Sequence, residues 1–278
     1  MEAFQTLVLS WYKKHGRKLP WRETTDPYKI LVSEMMLQQT QVDRVIPKYE
    51  AFLKAFPTAE SLASASTGDV LRLWSGLGYN RRALYLQKCA QAVMKTFPKE
   101  SEALQTLPGI GSYTAAAVLS FAFNKDIVVV DVNIELLYKR IFYPAKNVSM
   151  LAQRHLPSGH SRDWHNALMD IGALYCTSVA PKCTRCPLKA ICASASNEKR
   201  IEATRKKKIV VPFKQSDRIV RGAILKLLTT HTSIDGDTVY DMLKQRGIER
   251  DTQTFQRIVA ALEKDRLVIR KKNILYLP

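Results

Sequence analysis

Four of the five cysteines in this 278-residue chain lie within 17 residues, at Cys176, Cys183, Cys186 and Cys192. Structural zinc sites usually combine two close cysteine pairs separated by a longer span, whereas this segment holds a single C-x2-C pair. Four thiolates in one short loop suit a cubane iron–sulfur cluster better. The spacing therefore predicts a loop folded around a [4Fe–4S] cluster, with zinc or free thiols as the alternatives.

The charge balance indicates a polyanionic partner. Lys and Arg outnumber Asp and Glu by 43 to 25, which gives a formal charge of +18. No apolar run approaches the roughly 18 residues that a membrane span needs, and the start of the chain lacks the features of a secretory signal. We therefore expect a cytoplasmic, monomeric protein without a membrane partner.

Residues 1 to about 196 show apolar positions that recur every three or four residues, as in FQTLVLSWY and TAAAVLSFAF. Period-two patterns are nearly absent, and the β-like run IVVV at 127–130 is short enough to be an extended lead into a helix. The sequence predicts an all-α body in which residues 28–46 form one helix.

The pattern changes after residue 196. Residues 197–215 are rich in Lys and Arg and predict a basic linker, which either lies on a polyanion or is a solvated tether. Residues 216–278 show helical patterns at 219–228, 238–247 and 251–265, and then a strand–turn–strand pattern. Three helices and a hairpin describe a winged helix, a module that binds DNA or docks on proteins. We expect its hairpin tip to contact phosphates through Arg270, Lys271 and Lys272.

The segment LPGIGSYTAAAVLSFAF, residues 107–123, places Gly109 and Gly111 directly before an apolar helix. Two such glycines free backbone N–H groups to point at an anion, and the helix dipole adds to the attraction. Tight helix–helix turns use glycine for steric reasons alone. Combined with the charge of +18 and the cysteine loop, the segment indicates a phosphate-binding turn.

The order of these features resembles one group of enzymes. The segment LPGIGSYTA, then Asp131 and then the cysteine loop follow one another as in the helix-hairpin-helix DNA glycosylases of the endonuclease III superfamily. The resemblance covers residues 1 to about 196 and implies a partner that is double-stranded DNA with a mispair or lesion. Four stretches resemble the adenine DNA glycosylase (MutY) branch, namely LPWR (19–22), DPYKILVSEMMLQQTQV (26–42), GLGY (76–79) and NALMDIGALYC (166–176).

The resemblance implies that Glu34 is the acid that protonates the leaving base. On one helix over 28–46, Glu34 would lie on the apolar arc, where a carboxyl group has a raised pKa and stays protonated near neutrality. The members of that arc would be Ile30, Leu31, Leu37 and Val45, with Ser33, Thr40, Asp43 and Arg44 on the other side. An ordinary helix glutamate is the alternative.

The resemblance also assigns Asp131 as the carboxylate that stabilises the oxocarbenium-like sugar. Asp131 comes just before the helical pattern VNIELLYKR, where a helix N-terminus favours the charged form of its side chain. Serving only as an N-cap is the alternative. Asn133 would donate a hydrogen bond near Asp131.

The remaining site residues also follow from the resemblance. Tyr113 stands where bifunctional members carry a nucleophilic lysine, and because tyrosine cannot form a Schiff base, we expect no lyase activity and a supporting role beside the sugar. Gln39 and Tyr79 would fill the space in the duplex that the target base leaves. Independently of the resemblance, Lys182 and Arg185 place positive charge between the cysteines, and we expect them to contact DNA. Core or surface roles are the alternatives for Tyr113, Asn133, Gln39 and Tyr79.

Two features depart from the family. Asp131-Val132-Asn133 stands where the family usually shows Asp-Gly-Asn, and a winged helix replaces the usual domain that reads 8-oxoguanine. Asn166 lies where related enzymes vary the contact to the extruded base. The resemblance implies a monofunctional glycosylase that removes adenine opposite guanine or 8-oxoguanine. A thymine or uracil mismatch glycosylase and a DNA-binding protein without catalysis are the alternatives.

Overall fold

The computed structural model of the chain describes residues 3–94, 96–204 and 216–278 and divides into two units, which we describe in turn. Unit 1 comprises Met1–Leu31, Pro98–Thr106 and Ile110–Lys208, and unit 2 comprises Val32–Phe97, Leu107–Gly109 and Ile209–Pro278. None of the helices in the described ranges is long and apolar enough to span a membrane.

Every regular element in the described residues up to 204 is helical, which confirms the all-α prediction for the body. The extended run at 127–130 leads directly into a helix, as predicted. In chain order the helices are α1 (Ala3–His15), α2 (Pro27–Leu37), α3 (Val42–Ala55), α4 (Ala59–Ala63), α5 (Thr67–Trp74), α6 (Arg81–Val93), α7 (Ser101–Gln105), α8 (Ser112–Phe123), α9 (Val132–Ile141), α10 (Val148–His155), α11 (Ser161–Leu174) and α12 (Glu198–Ala203), and short 3-10 turns occur at Pro20–Arg22, Cys183–Arg185 and Lys189–Ile191.

The prediction of one helix over residues 28–46 was wrong. Helix α2 ends at Leu37 and α3 begins at Val42, and between them Gln39 has a φ of 57°, which a right-handed helix does not allow. Val45, Thr40, Asp43 and Arg44 therefore do not share a helix with Glu34. Ser33, expected on a polar face, is buried, because α2 is enclosed on both sides.

The core of unit 1 forms where α1, α9, α10 and α11 meet. Phe4 of α1 packs edge-to-face against the rings of Tyr138 on α9 and Trp164 on α11. Burial of a large apolar side chain stabilises a fold by about 1.5–3 kcal/mol. This core fixes the helix that begins directly after Asp131.

A buried carboxylate ties the N-terminal segment of unit 1 to α11. Asp170 is fully buried, and its oxygens accept hydrogen bonds at 2.6–2.8 Å from the side chains of Arg17 and Arg22. The backbone N–H of Arg17 donates a further bond of 2.8 Å. Because a buried charge is tolerated only when it is paired, this network holds LPWR against the NALMDIGALYC segment.

Helices α3 to α6 of unit 2 pack on one another. Trp74 of α5 and Phe52 of α3 are fully buried and meet edge-to-face at 6.1 Å between ring centroids. Thr58 and Ser66 cap α4 and α5 by accepting hydrogen bonds from backbone N–H groups, which explains where these two helices begin.

The C-terminal part of unit 2 confirms the predicted three helices and hairpin. Leu275 lies opposite both Ile234 and Arg270 in an antiparallel sheet of strand order β1-β3-β2. Strand β1 was not predicted, because two residues carry no period-two pattern. The elements are α13 (Asp217–Thr230), β1 (Ile234–Asp235), α14 (Gly236–Gln245), α15 (Thr252–Lys264), β2 (Ile269–Lys271) and β3 (Ile274–Tyr276).

Arg270 is not at the hairpin tip, contrary to the prediction. It lies in β2, and its guanidinium pairs with Glu263 at 2.8 Å and donates to Gln256 at 2.9 Å, both on α15. Lys272 has a φ of 56° in the turn, and it is exposed together with Lys271. The cations that this hairpin leaves exposed are therefore the two lysines.

The segment predicted as a basic linker, residues 197–215, begins as a helix. Asn197 caps α12, Ile201 is buried, and the Thr204 hydroxyl accepts a hydrogen bond from Arg140 at 3.0 Å. Residues 205–215 lie outside the described residues. The domain boundaries at 196 and 216 remain predictions.

We expect Asp170→Asn to lower the free energy of unfolding by about 3 kcal/mol, because two arginines would lose the charge that compensates their burial. Chemical denaturation measures this loss. Asp217→Asn is the matched control, since Asp217 forms an exposed ion pair with Arg257, and its effect should stay below about 1 kcal/mol. Equal losses in the two variants would contradict the importance of the buried network.

Candidate active site and cysteine loop

Glu34 lies near the end of α2 in unit 2 and is 7% exposed. Its neighbours along the helix, from Val32 to Met36, are all buried as well. The burial expected for Glu34 is therefore present, although it comes from enclosure of α2 on both sides and not from one apolar arc.

Arg82 of α6 forms hydrogen bonds with the segments around the end of α2. Its guanidinium is buried and donates hydrogen bonds of 2.6–3.2 Å to three separate stretches of unit 2. Burial lowers the pKa of Arg82 to about 10, so the group is still charged at neutral pH. These acceptors are the carbonyl oxygens of Met35, Met36, Gln38, Leu77 and Gly78 and the hydroxyl of Thr40, and Arg82 Nε makes a longer bond of 3.4 Å to the Tyr79 carbonyl oxygen.

The two residues predicted to enter the duplex, Gln39 and Tyr79, both have left-handed backbones. Their φ angles are 57° and 47°, and both side chains are exposed. For residues other than glycine this conformation costs about 1–3 kcal/mol. Arg82 offsets the cost, because it binds oxygens on either side of Gln39 and the carbonyl oxygen of Tyr79 itself.

The turn before α8 uses its two glycines differently. Gly109 has a φ of 77°, and an added Cβ would lie 2.8 Å from Tyr85 Cβ, so glycine is required there for steric reasons. Gly111 is the N-cap of α8, and nothing lies within 4 Å of the position that its Cβ would take. Both glycines are exposed, so the turn is open to an approaching phosphate. Tyr113, the second residue of α8, is half-buried.

Asp131 is the N-cap of α9, as its position predicts. Its Oδ1 accepts hydrogen bonds from the backbone N–H groups of Asn133 at 3.0 Å and Ile134 at 2.7 Å, and its Oδ2 accepts one from Asn133 Nδ2 at 2.8 Å. Val132, where the family usually has glycine, projects outwards with 70% of its surface exposed. The structure thus brings Asp131 and Asn133 together as expected.

Burial raises the pKa of Asp131, although the hydrogen bonds from Ile134 and Asn133 act in the opposite direction. The expectation that the helix N-terminus leaves the charged form favoured was incomplete, because loss of solvent outweighs the cap. Ionised Asp131 is therefore held at a cost in stability, which is common for groups that do chemistry.

Two residues that the sequence reasoning missed help to place Asp131 and Asn133. His165 Nε2 accepts the backbone N–H of Val129 at 3.0 Å, which fixes the strand-like lead into Asp131, and burial lowers the pKa of His165 to about 4. An added Cβ at Gly172 would lie 2.8 Å from Asn133 Cβ, so only glycine lets α11 approach α9 this closely. His165 directly precedes the NALMDIGALYC segment and Gly172 lies within it. Membership of that segment was the only feature of the sequence that pointed to these two residues.

Cys176, Cys183, Cys186 and Cys192 line one pocket of unit 1. None of the four is in a disulfide, and the described residues hold no group of three or more His, Cys, Asp or Glu side chains placed to bind a single metal ion. Burial raises the pKa of the Cys186 thiol to about 11. Apolar side chains complete the wall, namely Leu137, Ile141, Leu188 and Ile201.

Arg140, at the end of α9, organises this loop and was not predicted. Its buried guanidinium donates to the carbonyl oxygens of Thr177 at 2.8 Å and Ser178 at 3.0 Å and lies 3.5 Å from Cys176 Sγ. Its own carbonyl oxygen accepts the backbone N–H of Ser194 at 3.1 Å. The loop is thereby fixed at both ends to one residue.

Other predicted positions are easily located. Lys182 and Arg185 are exposed on the cysteine loop, as a role in DNA binding requires. Asn166 is 6% exposed on α11, and its carbonyl oxygen lies 3.4 Å from Arg22 Nη2. Glu34 belongs to unit 2 and Asp131 to unit 1.

Comparison with known proteins places this arrangement in a family. Residues 32–158 match the HhH-GPD superfamily of base excision DNA repair proteins. The chain is 37% identical over 238 residues to adenine DNA glycosylase of Mycolicibacterium smegmatis, a match that covers 81% of this chain and 80% of the relative. The chain belongs to the adenine DNA glycosylase family of the HhH-GPD superfamily.

Another relative and two solved structures are also similar to this chain. Adenine DNA glycosylase of Buchnera aphidicola subsp. Baizongia pistaciae is 40% identical over 224 residues, which cover 76% of this chain and 64% of that relative's length. A thermostable thymine-DNA glycosylase superposes with a TM-score of 0.64 and 30% identity over 69% of this chain and 95% of its own. Endonuclease III bound to DNA, at 20% identity and a TM-score of 0.61, shares the fold, over 71% of this chain and 95% of its own.

The raised pKa of Asp131 predicts how this family member responds to pH. The native state binds this proton more tightly than the unfolded chain, so ionisation lowers stability as the pH rises from the ordinary carboxyl range through the raised value. Asparagine is an equally good N-cap. We therefore expect Asp131→Asn to be more stable than wild type at pH 7, with a difference that shrinks towards pH 4 in denaturation measurements.

Asp251→Asn is the control with the opposite sign. Hydrogen bonds from Thr254 lower the pKa of this exposed N-cap, so its ionised form stabilises the native state and the contribution is lost as the pH falls. Asp251→Asn should therefore be less stable than wild type at pH 7. If Asp131→Asn were also less stable than wild type at pH 7, the hydrogen bonds of the charged cap would stabilise the fold by more than burial of the charge destabilises it.

Proposed function

We propose that this chain is a monofunctional DNA glycosylase that hydrolyses the N-glycosidic bond of adenine mispaired with guanine or 8-oxoguanine in double-stranded DNA. The observation that carries the proposal is the burial of Glu34 on the enclosed helix α2. A carboxyl group in such surroundings can hold a proton near neutrality and give it to a leaving purine. The adenine DNA glycosylase relatives, at 37–40% identity, support the choice of base.

The chemistry divides between two carboxyl groups. Glu34 transfers its proton to a ring nitrogen of the flipped adenine, and the bond between C1′ and the base breaks with both electrons going to the base. Ionised Asp131, oriented by Asn133, stabilises the positive charge that develops on the sugar. Water then adds at C1′ and loses a proton, which leaves an abasic site and free adenine.

Tyr113 supports the monofunctional assignment. It occupies the second position of α8, next to the phosphate-binding turn, and carries no amine. Without an amine at C1′ no Schiff base forms, and the strand stays intact after the base has left.

Contacts to DNA are distributed over both units. The open backbone at Gly111 suits a phosphate, exposed Gln39 and Tyr79 suit the space left by the flipped base, and Lys182 and Arg185 supply charge. The backbones of Gln39 and Tyr79 are held by buried Arg82, and the loop that carries Lys182 and Arg185 is held by buried Arg140. We further propose that the enzyme acts as a monomer.

We also propose that the four cysteines hold a [4Fe–4S] cluster. All four line one apolar pocket. A cubane cluster binds four thiolates at separate iron corners, and four cysteines within one short loop suit it better than the two separated pairs of a structural zinc site. When bound, it would hold the shape of the loop that presents Lys182 and Arg185.

A thymine or uracil mismatch glycosylase is the second candidate. It is favoured by the 30% identity to a thymine-DNA glycosylase over 95% of that chain. Both candidates use the same fold, so the released base distinguishes them.

The deciding experiment measures base release from duplexes with adenine, thymine, uracil or hypoxanthine opposite guanine and 8-oxoguanine. We expect adenine to be released and the strand to stay intact, with no covalent complex after borohydride treatment. Glu34→Gln and Asp131→Asn should each lower the single-turnover rate at least about 1,000-fold while duplex affinity changes little, because both act on the transition state.

The matched control for these variants is Glu100→Gln, which removes an acid from an exposed ion pair with Lys125 and should keep full activity. Release of thymine or uracil alone would select the second candidate. Tight binding of DNA without release of any base would leave a DNA-binding protein that has lost catalysis.

For the cluster, we expect purified protein to be brown, with absorbance near about 400 nm and about four iron atoms per chain. Cys186→Ala should lose colour and iron. Cys89→Ala is the control, since Cys89 is buried outside the loop with its thiol against the carbonyl oxygen of Pro108, and it should keep both. Colourless, active protein with stoichiometric zinc would contradict the cluster.

A further inference from the structure

The C-terminal three-helix part packs on the helical part of unit 2. Helix α13 contacts α5, and the carboxylate of Asp265 binds Arg221 of α13 at 2.5 Å and approaches Arg81 of α6 at 3.7 Å. At the end of the chain, the Pro278 carbonyl oxygen lies 3.0 Å from the position that a Cβ on Gly68 would take. The winged-helix part is therefore docked on α5 and α6.

Docking brings one side chain of the winged helix onto the loop predicted to enter DNA. Arg218, the second residue of α13, donates a hydrogen bond from Nη1 to the phenol oxygen of Tyr79 at 2.9 Å. On its other side, the Tyr79 ring lies against the guanidinium of Arg82, at 5.5 Å from the ring centroid. Arg82 of α6 therefore contacts the Tyr79 ring, and Arg218 of α13 contacts its hydroxyl group.

Tyr79 needs such support. It is 43% exposed and has a left-handed backbone, so neither burial nor backbone preference fixes the direction of its ring. The hydrogen bonds of Arg82 fix its carbonyl, whereas the phenol hydroxyl receives its bond from Arg218. A ring that must enter a base stack gains affinity when its orientation is set in advance.

We propose that Arg218 is a positioning residue that orients Tyr79 for entry into the duplex, and that the winged-helix domain thereby takes part in recognition of the mispair. The inference rests on the proposed function, since Tyr79 is assigned to the duplex there. It also gives the C-terminal part a role beyond the general duplex affinity that Lys271 and Lys272 of its wing can supply.

A double-mutant cycle tests this proposal. Arg218→Ala, Tyr79→Phe and the double variant are compared in binding to duplexes with adenine opposite 8-oxoguanine and to fully paired duplexes. Each is built on Glu34→Gln, so that base release does not enter the measurement. A 2-aminopurine placed beside the mispair reports unstacking by its fluorescence.

We expect each single variant to weaken mispair binding and reduce the fluorescence change by about three- to tenfold, the effect of one hydrogen bond. The double variant should be no worse than either single variant, because both remove the same bond. Arg218→Lys should recover part of the loss. Arg246→Ala, which removes an exposed arginine from the end of α14, should have no effect on the ratio of mispaired to paired binding.

Three outcomes would overturn the proposal. Additive losses in the double variant would show that Arg218 acts on DNA independently of Tyr79. Stronger binding by Arg218→Ala would show that the contact holds Tyr79 away from DNA. Unchanged binding would show that the contact does not contribute to mispair binding. Because fluorescence and binding need no catalysis, failure of base release in the wild-type chain tests the proposed function separately.

Discussion

The arrangement of the two loops of unit 2 that contain Gln39 and Tyr79 depends on the buried guanidinium of Arg82. It binds oxygens from the end of α2, from the loop that contains Gln39 and from the loop that contains Tyr79. A buried cation needs several acceptors to replace its water, and these carbonyls would otherwise be poorly satisfied. The hydrogen bonds of Arg82 therefore determine where α2 ends and hold the end of the helix that carries Glu34. They also stabilise the left-handed backbones of Gln39 and Tyr79.

Unit 1 contains two further networks of hydrogen bonds around a buried charged side chain. Asp170 neutralises Arg17 and Arg22 and attaches the LPWR segment to α11, and Arg140 fixes the start and the end of the cysteine loop. Such networks add little net stability compared with apolar packing, but they become costly when one member is removed. Their contribution is geometric, because each holds a loop that the apolar core does not reach.

The residues assigned to chemistry and to entry into DNA have features that lower the stability of the fold. Burial raises the pKa of Asp131, Gln39 and Tyr79 have left-handed backbones, and Val132 is largely exposed. The surrounding structure compensates through the α9 cap, Arg82 and the core around Tyr138. This distribution is expected of an active site, where stability is given up for a defined arrangement of groups.

The sequence by itself determined the features whose causes are local. Helix spacing, the cap at Asp131, the glycines of the LPGIGSYTA turn, the cysteine spacing and the three helices of the C-terminal part can all be read from neighbouring residues. The tertiary structure decided where distant groups compete or pair. Residues 28–46 have continuous helical periodicity, yet the chain breaks after Leu37, where Arg82, more than forty positions along, binds the carbonyls. Pairing of Arg270 with Glu263, the role of Arg140 and the contact of Arg218 with Tyr79 likewise depend on partners that no local pattern brings together.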